Sequence, residues 1–240
     1  FQVSVEGKDP MVSPGSAQEF RIIAERVDGF EGPITVDIDG LPEGFTATTP
    51  LLIQAGQVEA VGVIMADTTA PQPSEEQAKS STVTATALIR NQQVTHTVGS
   101  LGEIKLGDPP KLKVTIVAAS DGAQPTAAPE DGPLEFTIAP GQTIMLKAVI
   151  ERNGHDGVVS LGKELSGRNL PHGVYVDNIG LNGLLLLSDQ NERDFFITAD
   201  TWVPDQTRLF HLTSDVDGQA SRPVVLHVRR DKTNRQQAAR

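Results

Sequence analysis

The sequence predicts an all-β protein built as two tandem Greek-key β-sandwiches. Three observations carry that reading. Apolar residues alternate with period two in segment after segment, turn-forming dipeptides separate those segments, and the first half of the chain recurs in the second. With 22 Gly and 16 Pro in 240 residues, the composition favours many turns over long helices.

Taken in order, the elements begin with Phe1-Gln-Val-Ser-Val5, which alternates as a strand does. It shows neither an initiator Met nor a signal peptide, as expected of a piece excised from a longer protein. Buried strand faces are predicted at Phe20, Ile22 and Ala24, at Ile34, Val36 and Ile38, at Val61, Val63 and Met65, and at Ile144, Leu146, Ala148 and Ile150. Asp28-Gly29, Asp39-Gly40, Asp156-Gly157 and Asp217-Gly218 adopt positive φ readily and suit tight connections. The Ser/Glu-rich run 72–79 reads as an exposed loop before a strand over Thr82–Ile89. Near the end, Arg208–Thr213 and Val224–Arg229 read as two facing strands.

The repeat sets the organisation. Pro14-Gly15 matches Pro140-Gly141, and Glu25-Arg26 matches Glu151-Arg152, both at an offset of 126. Leu41-Pro42-Glu43-Gly44 matches Leu170-Pro171-His172-Gly173 at 129. Gln57-Val58-Glu59 matches Gln190-Asn191-Glu192, and Ala66-Asp67-Thr68 with Pro71 matches Ala199-Asp200-Thr201 with Pro204, at 133. Five ordered matches with slowly growing offsets mark two copies of one domain, 1–107 and 111–230, with 108–110 as a proline-stiffened linker and 231–240 as a basic tail. Residues 1–110 carry 6 basic and 15 acidic side chains against 14 and 16 in 111–240, so most of the acidity belongs to the first copy.

Composition excludes several classes of function. Without cysteine there are no disulfides, thiolate metal sites or cysteine nucleophiles. A net charge of −11 opposes a nucleic-acid or anionic-membrane surface, and no apolar run approaches the roughly 18 residues of a transmembrane segment.

Val12-Ser13-Pro14-Gly15, the run from Glu25 to Ile34 (ERVDGFEGPI), and Gly40-Leu41-Pro42-Glu43-Gly44 resemble a family of bacterial immunoglobulin-like and fibronectin-III-like modules. These modules accompany glycosidases and recur in large exported proteins of planctomycete type. In the second copy, Asn169-Leu170-Pro171-His172-Gly173-Val174 and Gly180-Leu181-Asn182-Gly183-Leu184 are similar to the same group's longer variant, while Asn153-Gly154-His155-Asp156-Gly157 departs from its turn. The resemblance implies two tandem immunoglobulin-like sandwiches in an exported multidomain protein at the cell surface, in the periplasm or outside the cell. It implies no catalysis. Other domains or proteins at the cell surface are the expected partners, with polysaccharide as the alternative.

No catalytic residue is predicted: the chain has no Gly-x-Ser-x-Gly elbow, no His-Glu-x-x-His pair and no phosphate-binding Gly-x-x-x-x-Gly-Lys. No cofactor and no metal site is predicted. Glu25-Arg26 and Glu151-Arg152 read as charge pairs that fix the following turn, and Asp67 and Asp200 as side chains that cap local amides. Asp215 and Asp217-Gly218 read as a turn, because the remaining ligands of a calcium loop are missing. By parity His211 and His227 point outward on neighbouring strands, and two histidines without a third ligand make a poor metal site. Trp202 carries two readings, a plug for the end of the second sandwich or a stacking platform with Tyr175. Only Phe30 could extend such a row.

Overall fold

Period-two patterning and frequent turns give a chain that is 48% strand and 2% helix in the computed structural model, so the protein is all-β. The structure describes residues 1–127, 132–162, 165–177, 180 and 182–230; the expected basic tail and Leu181 lie outside them.

The strands in chain order are β1 (Gln2–Glu6), β2 (Met11–Val12), β3 (Ala17–Glu25), β4 (Ile34–Asp39), β5 (Phe45–Ala47), β6 (Leu51–Ile53) and β7 (Glu59–Ala66). The helical turn α1 (Glu75–Ala78) precedes β8 (Thr82–Ile89), β9 (Gln92–Gly99), β10 (Lys105–Leu106), β11 (Leu112–Ala118), β12 (Glu135–Ile138) and β13 (Thr143–Arg152). Then follow β14 (Val159–Ser160), β15 (Val174–Asp177), β16 (Leu185–Leu186), β17 (Glu192–Ala199), β18 (Gln206–Phe210), β19 (Gln219–Ala220) and β20 (Val224–Val228).

Two compact units result. Unit 1 holds Phe1–Lys113 with Asn153–His155 and Val216–Arg222; unit 2 holds Val114–Arg152, Asp156–Asp215 and the chain from Pro223 onward. The 108–110 segment therefore sits within unit 1, where Pro110 is buried. Val216–Arg222, which the sequence division left with the second copy, also belongs to unit 1.

Unit 1 has one sheet in the order β1-β3-β7-β5 and another in the order β6-β4-β8-β9. A single core draws Phe20, Ile22 and Ala24 from β3, Ala60, Ile64 and Ala66 from β7, Ile34, Val36 and Ile38 from β4, and Val83, Ala85 and Ala87 from β8. The face of β7 differs from its expected parity. Val61, Val63 and Met65 point away from this core, and Val63 instead forms a small cluster with Ala17 and Ala220. Space explains the inversion: a Cβ on Gly62 would stand 2.7 Å from Phe20 Cζ, so the Phe20 ring needs glycine beneath it. On this second face β19 adds to β3, pairing Gln219 with Gln18 and Ala220 with Ala17, which sets Ala220 in the same cluster.

In unit 2 the sheet β11-β13-β17-β15 repeats the order of β1-β3-β7-β5 strand for strand. Both units also contain a parallel pair, β2 with β10 and β12 with β20. Matched turns make matched bonds. Gly15 N–H donates to Ala66 O at 3.0 Å and Gly141 N–H to Ala199 O at 2.8 Å; Asp67 N–H donates to Gly44 O at 2.8 Å and Asp200 N–H to Gly173 O at 2.9 Å. The sequence offsets thus trace equivalent backbone hydrogen bonds.

Two local devices differ from expectation. Residues 72–79 contain α1, whose Ser74 and Gln77 form a reciprocal capping box. The β8–β9 hairpin turns on Arg90 (φ 48°) and Asn91 (φ 64°). Both residues are left-handed as a type I′ turn requires, although neither Asp-Gly nor Asn-Gly marks the place.

Gly44 has φ 74°, and a Cβ there would lie 2.9 Å from Ala70 Cα. Gly44→Ala is therefore expected to cost about 2 kcal/mol, from left-handed strain plus the backbone clash. Urea unfolding checks this; an unchanged midpoint would show that the turn relaxes freely.

Candidate functional site

Strand β17 ends at Ala199 and the chain turns through Asp200, with Val203 N–H donating to Asp200 O at 3.2 Å. This turn presents Trp202, whose indole is 53% exposed. It rests on the glycine of the matched Leu-Pro-x-Gly turn: a Cβ on Gly173 would stand 2.5 Å from Trp202 Cζ2. The neighbouring His172 ring lies 5.2 Å from the indole, centroid to centroid, at an interplanar angle of 55°. The close approach of the indole to Gly173 sets the neighbouring His172 beside it. Tyr175 is 44% exposed on β15, opposite Thr198 of β17. Among the described residues the Tyr175 and Trp202 rings make no aromatic contact with each other. Phe30, in unit 1, is half-buried, its ring 5.7 Å from that of Phe1 and 5.8 Å from the Arg26 guanidinium carbon.

The arginine of the repeated Glu-Arg motif does more than pair charges. Arg26 donates from Nε to Gln57 O at 2.8 Å, from Nη1 to Gly32 O at 2.7 Å and from Nη2 to Gln54 O at 2.8 Å. Arg152 donates from Nη1 to Gly157 O at 2.7 Å and from Nη2 to Leu187 O at 2.8 Å and Gln190 O at 3.0 Å. In both units one guanidinium ties the loop after its own strand to the loop before β7 or β17. Its planar fork of five donors suits several carbonyls at once. Glu25 is exposed at the end of β3, and the carboxylate beside Arg26 is that of Glu31, 4.0 Å from its Nε.

His211 is buried at 1% exposure, contrary to the outward expectation. Strand β18 stops at Phe210, so alternation no longer applies one residue later; His211 N–H donates to Arg168 O at 3.1 Å. His227 does lie on the outer face. Its Nε2 is 2.8 Å from Glu135 Oε2 and its Nδ1 is 2.9 Å from Thr207 Oγ1. Register sets His227 opposite Thr207, four positions from His211, so the two imidazoles are not neighbours. Arg208, on the inner parity, is hydrogen-bonded to Asn169, and burial pushes its pKa down to about 10.

Asp215 Oδ1 accepts from Ser160 N–H at 2.9 Å, whereas Asp217 pairs with Lys111 at 3.3 Å, so the two carboxylates serve different partners. Asp217 and Gly218 are both left-handed in the turn that leads into β19. Asp67 does not cap local amides; its carboxylate is 3.0 Å from Arg222 Nη2. No three His, Asp or Glu side chains converge as metal ligands among the described residues. Unit 1 also carries an open cleft of about 500 Å³ lined by Lys8, Asp9, Met11, Glu19, Asp108 and Lys111 among others. No helix among the described residues is long and apolar enough to cross a membrane.

No protein-family model and no curated protein matches the chain. Among solved structures, a protein of unknown function from Porphyromonas gingivalis W83 is 11% identical with a TM-score of 0.31, covering 95% of this chain and 99% of that one. A structure of the YadV chaperone is 12% identical with a TM-score of 0.27, covering 95% and 100%. Neither likeness bears on fold or function.

Arg26→Lys is expected to destabilise unit 1 by about 3 kcal/mol, because one ammonium cannot satisfy carbonyls on two loops. Arg152→Lys should lower the stability of unit 2 by a smaller amount, since its bonds are more exposed. Denaturant unfolding of both variants checks the pair; a Lys variant as stable as the parent would show that charge alone suffices.

Proposed function

We propose that the chain is a tandem of immunoglobulin-like Greek-key β-sandwich modules serving as a non-catalytic spacer and interaction scaffold in a larger exported protein. The observation that carries this reading is how the repeated residues are used. Gly15 and Gly141, Gly44 and Gly173, and Arg26 and Arg152 all serve their own unit's loops. Shared residues committed to loop geometry maintain a framework, whereas function on such folds resides in sites added to it. The order β1-β3-β7-β5, repeated by β11-β13-β17-β15, supports two modules of one kind. The resemblance to exported bacterial modules supports location at the cell surface, in the periplasm or outside the cell. The excess of 15 acidic over 6 basic residues in 1–110 favours a basic protein surface as partner.

A second reading rests on a specific observation, the half-exposed Trp202 indole beside His172. A pyranose could stack its C–H face on that ring, which would make the second module a carbohydrate-binding one with Tyr175 nearby on β15. The support is narrower, since sugar sites favour a planar row of aromatics and Phe20, Phe136, Phe195 and Phe210 are all buried.

Titration of the full chain with soluble glycans, followed by tryptophan fluorescence and paired with glycan-array binding, separates the two. The chain has one Trp, so the signal reports on a single site. The scaffold reading expects no saturable change. A saturable sugar-dependent shift that disappears in Trp202→Ala, with the circular dichroism spectrum retained, would replace it with the carbohydrate-binding reading.

A further inference from the structure

Sheet edges are open hydrogen-bonding templates, and proteins shield them with short strands, charged side chains or prolines. Most edges here follow that rule. β5 and β6 have three residues each, β15 and β12 have four and include Asp177 and Glu135, β1 and β18 have five and include Glu6 and Arg208, and β11 has seven and includes Lys113. Strand β9 breaks it. With eight residues it is the longest strand at a sheet edge among the described residues, and it carries no Asp, Glu, Lys, Arg or Pro. Gln92, Gln93, Thr95, His96 and Thr97 are exposed, and although β1 packs close to β9, no strand is hydrogen-bonded to its side away from β8 among the described residues.

The sequence of this edge reads the same in both directions about one residue: Val94-Thr95-His96-Thr97-Val98. We infer that β9 pairs antiparallel with β9 of a second copy of this chain, about a two-fold axis through His96. In that register Val94 meets Val98 of the other copy, Thr95 meets Thr97, and His96 meets His96. Like groups meet like on each face, and no charged side chain is opposed by its own kind. Threonine pairing already runs across this face, with Thr86 Oγ1 2.9 Å from Thr95 Oγ1. A second strand extends that ladder by the Thr95–Thr97 pairs. The other face presents His96 with its ring against Phe1 at 4.8 Å, and Val98, which packs on the core cluster.

The pairing is short. Thr84 stands opposite Thr97 and Val83 opposite Gly99, so Val98 is the extra residue of a β-bulge that twists the strand at its end. Self-association through so few residues is weak and concentration-dependent.

The chain contains no cysteine, so a single introduced thiol reports on the axis without background. Only the on-axis residue faces its own copy. Two residues at position 94 stand roughly 14 Å apart in this register, too far for a disulfide, which needs Cα atoms within about 7 Å. Under mild oxidation the His96→Cys full-length chain is expected to form covalent dimer at least tenfold faster than Val94→Cys, with both retaining the parent's circular dichroism. Equal rates, or faster linkage at position 94, overturn the register. Sedimentation velocity gives an arm that does not rely on cysteine variants. The parent's weight-average mass should rise above 25.6 kDa with concentration, while Thr97→Lys, a change at an exposed position, stays at that mass. A parent that remains monomeric throughout, or a Thr97→Lys chain that associates equally, overturns the proposal.

Discussion

The interaction on which each unit depends is the guanidinium that spans two loops. Arg26 and Arg152 sit at the ends of β3 and β13, strands central to their sheets, and reach carbonyls on both the loop they enter and the loop before the neighbouring strand. Carbonyls in such loops cannot all be met by ladder bonds, and leaving several buried acceptors unmet costs more than placing one cation among them. These carbonyls supplement the acidic neighbour of Arg26, Glu31, whose Oε2 lies 4.0 Å from Nε. In both units the arginine is the residue that reaches the loops, while Glu25 and Glu151 are exposed.

Loop anchoring of this kind was legible as a repeat but not as a mechanism. The recurrence of Glu-Arg at an offset of 126 located the residues, and the recurrence of Leu-Pro-x-Gly located the turn that β5 and β15 follow. What one-dimensional pattern could not supply was the identity of the acceptors, because carbonyl groups leave no mark in a sequence. The Arg90-Asn91 turn failed to show for a related reason: its left-handed geometry is imposed by the pairing of Ile89 with Gln92, against the weak preference of arginine. By contrast, the Ser74–Gln77 capping box was present in the letters, since serine followed three residues later by glutamine is itself the signal.

Parity reasoning succeeded where strands were regular and failed at their ends and centres. It placed Phe20, Ile22 and Ala24 on the core, and Ile34, Val36 and Ile38 opposite them. It failed at His211, one residue past the end of β18, where alternation has no meaning. The candidate site shows the same boundary. Trp202 and Tyr175 stood out by rarity alone, but the contact of Trp202 with His172 arises from a glycine that lets an indole lie on the backbone, and spacing of aromatics does not encode that.

The inverted face of β7 belongs to a different category of illegibility. Ala60, Gly62, Ile64 and Ala66 look weaker as a core stripe than Val61, Val63 and Met65, yet they face the core because Phe20 fills the space above Gly62. The stronger stripe gains a neighbour from far along the chain. Ala220 joins Ala17 and Val63, and the Gln219 side chain reaches the buried hydroxyls of Ser13 and Ser16, the latter 203 positions away. A strand buried on both faces reads as a continuous apolar run, and such a run does not say which face meets which layer. The first unit is thus completed by a segment that no reading confined to residues 1–110 could contain. A repeat unit cut at its sequence boundary would leave Val63 and the two serines without the partners that bury them.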